Sequence, residues 1–307
     1  MNEQNHSEMN NAMVETIQDF VNHELPVHGS KWPWWRTTRH DVLVLPWFIL
    51  IHVTAVIGLL RFPLPGWRVF LGALALTWIG GIGTTVCYHR ALAHRALRLN
   101  RVVRAILIFF AMFNGSGSPI TWVASHRVHH ACADTPGDLS SPALHGFWWA
   151  HLRWLWQAES PSIARFCPDL DHLSYKIWRP MQPAILALSY FGGLYFGLSA
   201  FFWLGAIRLV FALHAQCFVN SVCHTEQDTP IGEDSSRNVS WLAVMHFFQG
   251  ENWHRNHHER PGSARLGRTW RQPDVGYMVI CALERVGLVS EVRRSRSRPG
   301  SSFASLV

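Results

Sequence analysis

Charge is scarce in this sequence: only 15% of its 307 residues are Asp, Glu, Lys or Arg, against about 25% in an ordinary soluble domain. Lysine is nearly missing, at two of the 27 basic residues. The formal net charge of +7 is of the sign that nucleic acid attracts. No basic stripe interleaved with aromatics lies outside the apolar framework, however, so nucleic acid is not an expected partner. Anionic lipid headgroups or a phosphorylated substrate carrier account for the charge better. The six cysteines (Cys87, Cys132, Cys167, Cys217, Cys223, Cys281) form no CxxC pair, and free thiols are expected. No HExxH occurs, which removes the commonest zinc-protease signature. Met1 to Ser30 lacks the basic-then-apolar layout of a signal peptide, and no internal repeat is visible.

What is plentiful is apolar. Aliphatic, aromatic and sulfur residues make up 49% of the chain, with 16 tryptophans and 18 phenylalanines, as suits aromatic residues at bilayer interfaces. Four stretches are long enough to cross a hydrocarbon core, which takes about twenty helical residues: roughly 42–60, 69–87, 184–199 and 201–222. The last two read as a tight hairpin with a break near Ser199. Arginines flank the spans unequally. Arg36 and Arg39 precede the first, Arg90, Arg95, Arg98, Arg101 and Arg104 follow the second, and Arg255, Arg260, Arg265, Arg268 and Arg271 follow the fourth. The positive-inside rule then puts both termini and the long middle segment in the cytoplasm, in the inner membrane if the cell is bacterial. The expected organisation is a polar tail and pre-membrane segment over 1–41, a membrane domain over 42–290 and a disordered basic tail over 291–307.

Histidines gather where these spans meet the cytoplasm. "HRALAH" supplies His89 and His94, "HRVHH" supplies His126, His129 and His130, and "HRNHH" supplies His254, His257 and His258. On a helix, positions i, i+3 and i+4 share one stripe, so each HxxHH triplet aims three imidazoles the same way. One triplet could be solvated histidines on a helix face; two identical ones on the same side make that coincidence. His224, in "NSVCH" at the end of the fourth span, brings the set to nine. Nine imidazoles exceed what one ion accepts and suit two metals, although imidazole serves iron, zinc, copper and nickel alike. His23 and His28 repeat the first spacing in a polar tail and are read as noise. His6, His40, His145, His172 and His246 are expected at the surface or in loops, His52 and His214 as packed, hydrogen-bonded residues within the spans. His151, in "GFWWAHLRW", and the acidic Asp134, Asp138 and Glu251 are candidates to support the ligands from outside the metal shell.

In these elements the sequence resembles the membrane fatty-acid desaturases of the acyl-CoA (stearoyl-CoA desaturase-like) type. The three histidine boxes match in order and spacing, as do "NSVCH", "GFWWAHLRW" and Trp122, over roughly 42–289. The resemblance implies an all-α integral membrane protein with four transmembrane helices under a cytoplasmic helical cap. It implies a diiron centre held by the nine histidines, with Asn220 reaching one iron through a water. The implied reaction removes two hydrogens from an acyl chain on CoA, acyl carrier protein or lipid. It uses O2 and two electrons from a separate donor, such as ferredoxin and its reductase. Hydroxylation or acetylenation on the same scaffold stands as the alternative. A metal or haem transporter would need ionisable groups along a mid-membrane path, and only His52 and His214 lie deep. A zinc hydrolase would need a general base in a familiar spacing.

The sequence departs from that family at the acyl channel. Asp138 to Ser140 read "DLS" where Asp-Pro-His is frequent, Ser116 replaces a usual glutamine, and Gln216 replaces a frequent threonine. Gln216 is a candidate to supply the amide missing at Ser116. Counting back from His89 by helical turns gives Thr85, Gly81 and Thr77 on the expected tunnel face. Thr77 stands where animal members carry a tyrosine under the methyl end, which predicts tolerance of longer acyl chains. Arg265 and Arg268, near the last box, are the candidates for holding an anionic carrier.

Overall fold

The computed structural model describes residues 32–38, 41–230 and 232–294. Most of both expected tails, with His6, His23, His28, Arg39 and His40, lies outside the described residues. Within them the chain is mostly helical. Its strands are one antiparallel pair of two residues each, β1 (Arg98–Leu99) against β2 (Val289–Ser290), a small exception to an all-helical expectation.

Among the described residues, three helices are long and apolar enough to cross a membrane: α1 (Val44–Arg61), α2 (Trp67–Ala93) and α6 (Leu198–Cys223). They begin and end within a few residues of the first, second and fourth predicted spans, except that α2 runs on through the first histidine box. The predicted span over 184–199 is different. Helix α5 covers Trp178–Phe191, tightens to 3-10 winding over Gly192–Phe196, and stops at Gly197. Gly197 has φ +104°, a conformation that a side chain disfavours and glycine allows, and so sets the break slightly ahead of Ser199. Apolar side chains on α1, among them Val53, Val56, Ile57 and Leu60, are exposed, as lipid-facing residues would be.

Between α2 and α5 come α3 (Arg101–Phe113) and α4 (Pro119–Cys132). Each has a side-chain cap: Asn100 accepts from Val102 N, and Ser118 accepts from Thr121 N just before Pro119. Helices α2 and α3 touch backbone to backbone, since a Cβ on Gly83 would lie 2.4 Å from Leu107 O. The end of α3 rests on an arginine inside α6. Arg208, buried, donates Nη1–H to Asn114 Oδ1 (2.6 Å), Nη2–H to Phe113 O (3.3 Å) and Ser189 Oγ, and Nε–H to Leu204 O (2.8 Å). Its positive charge thus sits against the negative end of the α3 dipole. Helix α4 is stitched to the end of α2 by Arg127, which donates to Leu92 O (2.7 Å), Ala93 O (3.1 Å) and Asp169 Oδ1 (2.7 Å). Two shorter helices, α7 (His254–Glu259) and α8 (Val275–Arg285), complete the layer over the histidine-bearing ends of α2 and α6.

Candidate metal centre

The first box owes its geometry to an unusual winding. In a regular α-helix residues five apart point about 140° away from each other. From Gly83 to Ala93, however, α2 is π-wound, and His94 N donates to His89 O at 3.1 Å, an i→i+5 bond. Such bonds lay residues five apart one above another, and the His89 and His94 ring centroids come within 4.9 Å. The HxxHH triplets use ordinary α-helical spacing on α4 and α7. His224 ends α6, at its C-cap.

The nine nitrogen donors fall into two groups, each within 4.8 Å: His89, His94, His126, His130 and His257, and His129, His224, His254 and His258. Their Nε2 atoms face one another, at 2.8 Å for His94–His126, 2.9 Å for His89–His257 and His130–His257, 3.0 Å for His129–His224 and 2.8 Å for His224–His254. With metal–nitrogen bonds of about 2.1 Å, donors at right angles around one ion lie about 3.0 Å apart. The far side of several rings is held by carboxylates. Asp138 Oδ2 accepts from His129 Nδ1 (3.0 Å), Asp134 Oδ2 from His224 Nδ1 (3.0 Å) and Asp234 Oδ2 from His258 Nδ1 (2.8 Å), while Glu251 Oε2 lies 2.8 Å from His89 Nδ1.

Those bonds fix the tautomers. A carboxylate only accepts, so His129 and His224 carry hydrogen on Nδ1, and as neutral rings, the form that binds a metal, they turn Nε2 lone pairs toward each other. Two lone pairs at 3.0 Å repel unless a cation lies between them. The same holds for His258, whose Nε2 is buried with no hydrogen-bond partner. Protons do not supply these cations throughout. Burial first, then neighbouring imidazoles, hold His94, His126, His130, His254 and His257 far below the usual imidazole value, so at neutral pH they are neutral rings. Burial would raise Glu251, but His89, Arg90 and Thr85 bring its pKa down to about 2. Burial would likewise raise Asp134 and Asp138, but hydrogen bonds and imidazole neighbours hold both below the ordinary carboxylate value. Neutral nitrogens backed by anions are the donor set that a pair of divalent ions requires.

The other predicted residues are placed as follows. Asn220 sits one helical turn before His224 on α6. Trp122 stacks on His126 at 4.8 Å between centroids. Ser116 donates to Gln216 Oε1 (3.1 Å) and shares a hydrogen bond with Thr84 (2.8 Å), so these two expected channel residues touch. Thr85 donates to Glu251 Oε1. A Cβ on Gly81 would meet Gln249 Oε1 at 2.5 Å. Thr77 turns its hydroxyl to Ala73 O (2.8 Å), and its own carbonyl accepts from Asn114 (3.3 Å). Arg265 is exposed over the Tyr277 ring. Arg268 engages Glu259 (2.6 Å) and Asn256 O (3.0 Å) at the end of α7.

His151 contacts a different group. It bonds Ser221 Oγ (2.9 Å) and His214 Nδ1 (2.8 Å), and His214 Nε2 meets His52 Nε2 at 3.0 Å. Since His52 Nδ1 must donate to Phe48 O (2.7 Å), this chain can be satisfied by neutral rings donating in one direction, unlike the nine. His246, expected at the surface or in a loop, lies in a turn but is buried. Sequence reasoning missed Asp234, 24 residues before His258. It also missed Arg90, buried between Asp274 (2.9 Å) and Glu251 (3.8 Å). Neither stands in a recognisable spacing.

Comparison with known proteins matches residues 65–271 to the family model described as fatty acid desaturase. The chain is 34% identical over 268 residues to Delta-9 acyl-lipid desaturase 1 of Arabidopsis thaliana, covering 83% of this chain and 84% of that protein. It is 32% identical over 282 residues to hex-5-enoyl-[acyl-carrier protein] acetylenase of Moorena producens (strain JHB), covering 83% and 86%. With icosanoyl-CoA 5-desaturase of Limnanthes douglasii it shares 30% identity over 294 residues, 91% of this chain and 80% of the relative.

Proposed function

The chain belongs to the fatty acid desaturase family, and from that premise we propose that it places a double bond in a fatty acyl chain at two iron ions held by the nine histidines. It is an oxidoreductase, as its relatives are. The observation that carries the dinuclear reading is the convergence of buried Nε2 lone pairs on two centres, with Nδ1 fixed by carboxylates. Bound iron would supply the redox chemistry with O2 that an unactivated C–H bond demands and a hydrolytic zinc site lacks. Per turnover, two hydrogens leave the acyl chain, two electrons and two protons arrive from outside, and O2 leaves as two waters.

The chain's own residues set the conditions. Asp134, Asp138 and Asp234 keep the ring hydrogens on Nδ1 and turn Nε2 inward, and Glu251 places its charge beside His89 Nδ1. Thr85 holds Glu251 in place. Asn220 would orient a water at the half that contains His224. Trp122, stacked on His126, walls the site with an apolar face, and Ser116 with Gln216 fixes where the acyl chain bends.

In the membrane, α5 with its 3-10 extension would make a fourth crossing. Fourteen α-helical and five 3-10 residues span about 31 Å, close to a hydrocarbon core of about 30 Å. Both termini and the layer above the histidines would then be cytoplasmic, which gives a soluble electron donor, such as ferredoxin with its reductase, access to the centre. The relatives' names cover lipid-, CoA- and carrier-protein-linked substrates, so the acyl chain would arrive on one of these. Exposed Arg265 is available to an anionic carrier. Similarity to an acetylenase favours a second reading, in which an existing double bond is oxidised further. Mass spectrometry of products made from saturated and monounsaturated chains by cells expressing the gene tests both. A new double bond from saturated substrate supports desaturation, and a triple bond from unsaturated substrate alone supports the second reading.

A further inference from the structure

The two halves of the candidate metal centre are surrounded by unequal charge. We infer that they bind their metal ions with unequal strength, the half made by His129, His224, His254 and His258 filling first and emptying last. The inference rests on the dinuclear reading above.

Three of those four ligands hand their Nδ1–H to carboxylates, Asp138, Asp134 and Asp234. Asp138 and Asp134 are wholly buried and are locked in place. Asp138 also accepts from the backbone N–H groups of Asp134 (3.0 Å) and Ser140 (2.9 Å). Asp134 accepts from Ser141 Oγ (2.6 Å), Ser235 N (2.9 Å) and Ser235 Oγ (2.8 Å). Every one of these donors is neutral. Among the described residues no arginine or lysine nitrogen comes within 4.0 Å of either aspartate, whose ion-pair partners are only the imidazoles. Buried anions need a counter-charge, and the place for it is the point where the Nε2 atoms converge.

The other half is different. Its supporting anion, Glu251 at His89, already has Arg90 Nη2 at 3.8 Å and a hydrogen bond from Thr85. A divalent ion among His89, His94, His126, His130 and His257 therefore meets an anion that is partly compensated. A divalent ion in the four-histidine half meets three that are not compensated by any basic side chain. More neutral ligands on one side do not offset this, because the Coulomb attraction of a dication for a fixed buried anion exceeds that for one more imidazole dipole. When iron is scarce, the five-histidine half is the one left empty, and activity follows its occupancy.

The test is a titration of full-length, metal-stripped protein in detergent or nanodiscs with Zn2+, a redox-inactive probe, against a competing chromophoric chelator. Wild type is expected to take up two equivalents whose affinities differ at least tenfold. Loss of a residue supporting a ligand typically weakens a metal site about 10–100-fold. Asp138→Asn and Asp234→Asn should each weaken the tight equivalent by that factor and leave the weak one unchanged, and Glu251→Gln should do the reverse. Asp234 has a side chain 39% exposed, so its asparagine variant keeps the test valid should Asp138→Asn fail to fold. Two equivalents of equal affinity, or an Asp234→Asn protein whose tight equivalent is unchanged, would overturn this inference alone. Uptake of fewer than two ions per chain would remove the dinuclear reading and this inference together.

Discussion

His129 and His224 face each other Nε2 to Nε2 at 3.0 Å, while each donates its Nδ1–H to a buried aspartate, Asp138 and Asp134. In the neutral form that binds a metal, the two rings present facing Nε2 lone pairs, a contact that a bound ion relieves. Stripping the metal should therefore lower the thermal midpoint, and restoring Fe2+ under anaerobic conditions should raise it. Free metal at a hundred times the dissociation constant adds about 2.7 kcal/mol per site. Differential scanning fluorimetry with and without chelator checks this; an unchanged midpoint would mean that the histidines hold no ion.

Ser116 and Gln216 form a second pair. Their hydrogen bond at 3.1 Å joins two of the positions expected to shape the acyl channel. Ser116→Gln alone should crowd the contact and Gln216→Thr alone should leave Ser116 short of an acceptor, each reducing turnover several-fold. The double variant should recover activity and shift the double-bond position. Gas chromatography–mass spectrometry of the products reads both effects, and strictly additive losses would show that the pair does not act together.

Thr77 lies twelve residues before His89 on α2, buried, with its hydroxyl turned back to Ala73 O. If the acyl tail descends along this helix, a bulkier residue here shortens the space beneath it. Thr77→Tyr should move the preferred substrate to shorter chains without changing iron per chain. Identical chain-length profiles for wild type and variant would place the tail along another face.

Arg208 supports the fold rather than the chemistry. Its four acceptors come from α3, α5 and α6, and each buried group left unpaired costs about 1–3 kcal/mol. Arg208→Leu should lose at least about 2 kcal/mol of stability, seen as a lower midpoint of monomer loss on heating and size-exclusion chromatography. The surviving folded fraction should keep its full metal content. Normal stability with lost metal would give Arg208 a different role.

The histidine triplets were legible in the sequence because their i, i+3, i+4 spacing is intrinsic to the α-helix and needs nothing from the rest of the fold. The first box was legible as composition only. Its five-residue spacing becomes one face only through π winding, which a 3.6-residue period does not anticipate. The third predicted span was found as an apolar run, but its division at Gly197 depends on a backbone turn that apolarity does not encode. Asp134, Asp138 and Glu251 could be chosen as acids near a box. Asp234 could not, because the fold alone brings it to His258. Arg208 carries no legible role in the sequence, because the fold alone brings Asn114 and Ser189 to its guanidinium.

The most direct test of the central claim is iron content measured alongside product formation on one preparation. Full-length protein in nanodiscs, supplied with a reduced electron donor, O2 and a fatty acyl substrate, should form a new double bond in proportion to iron content. Activity should reach its maximum near two irons per chain, and His126→Ala and His254→Ala should abolish it while the protein remains membrane-inserted. Full desaturase activity in a preparation shown to contain no iron would contradict the account.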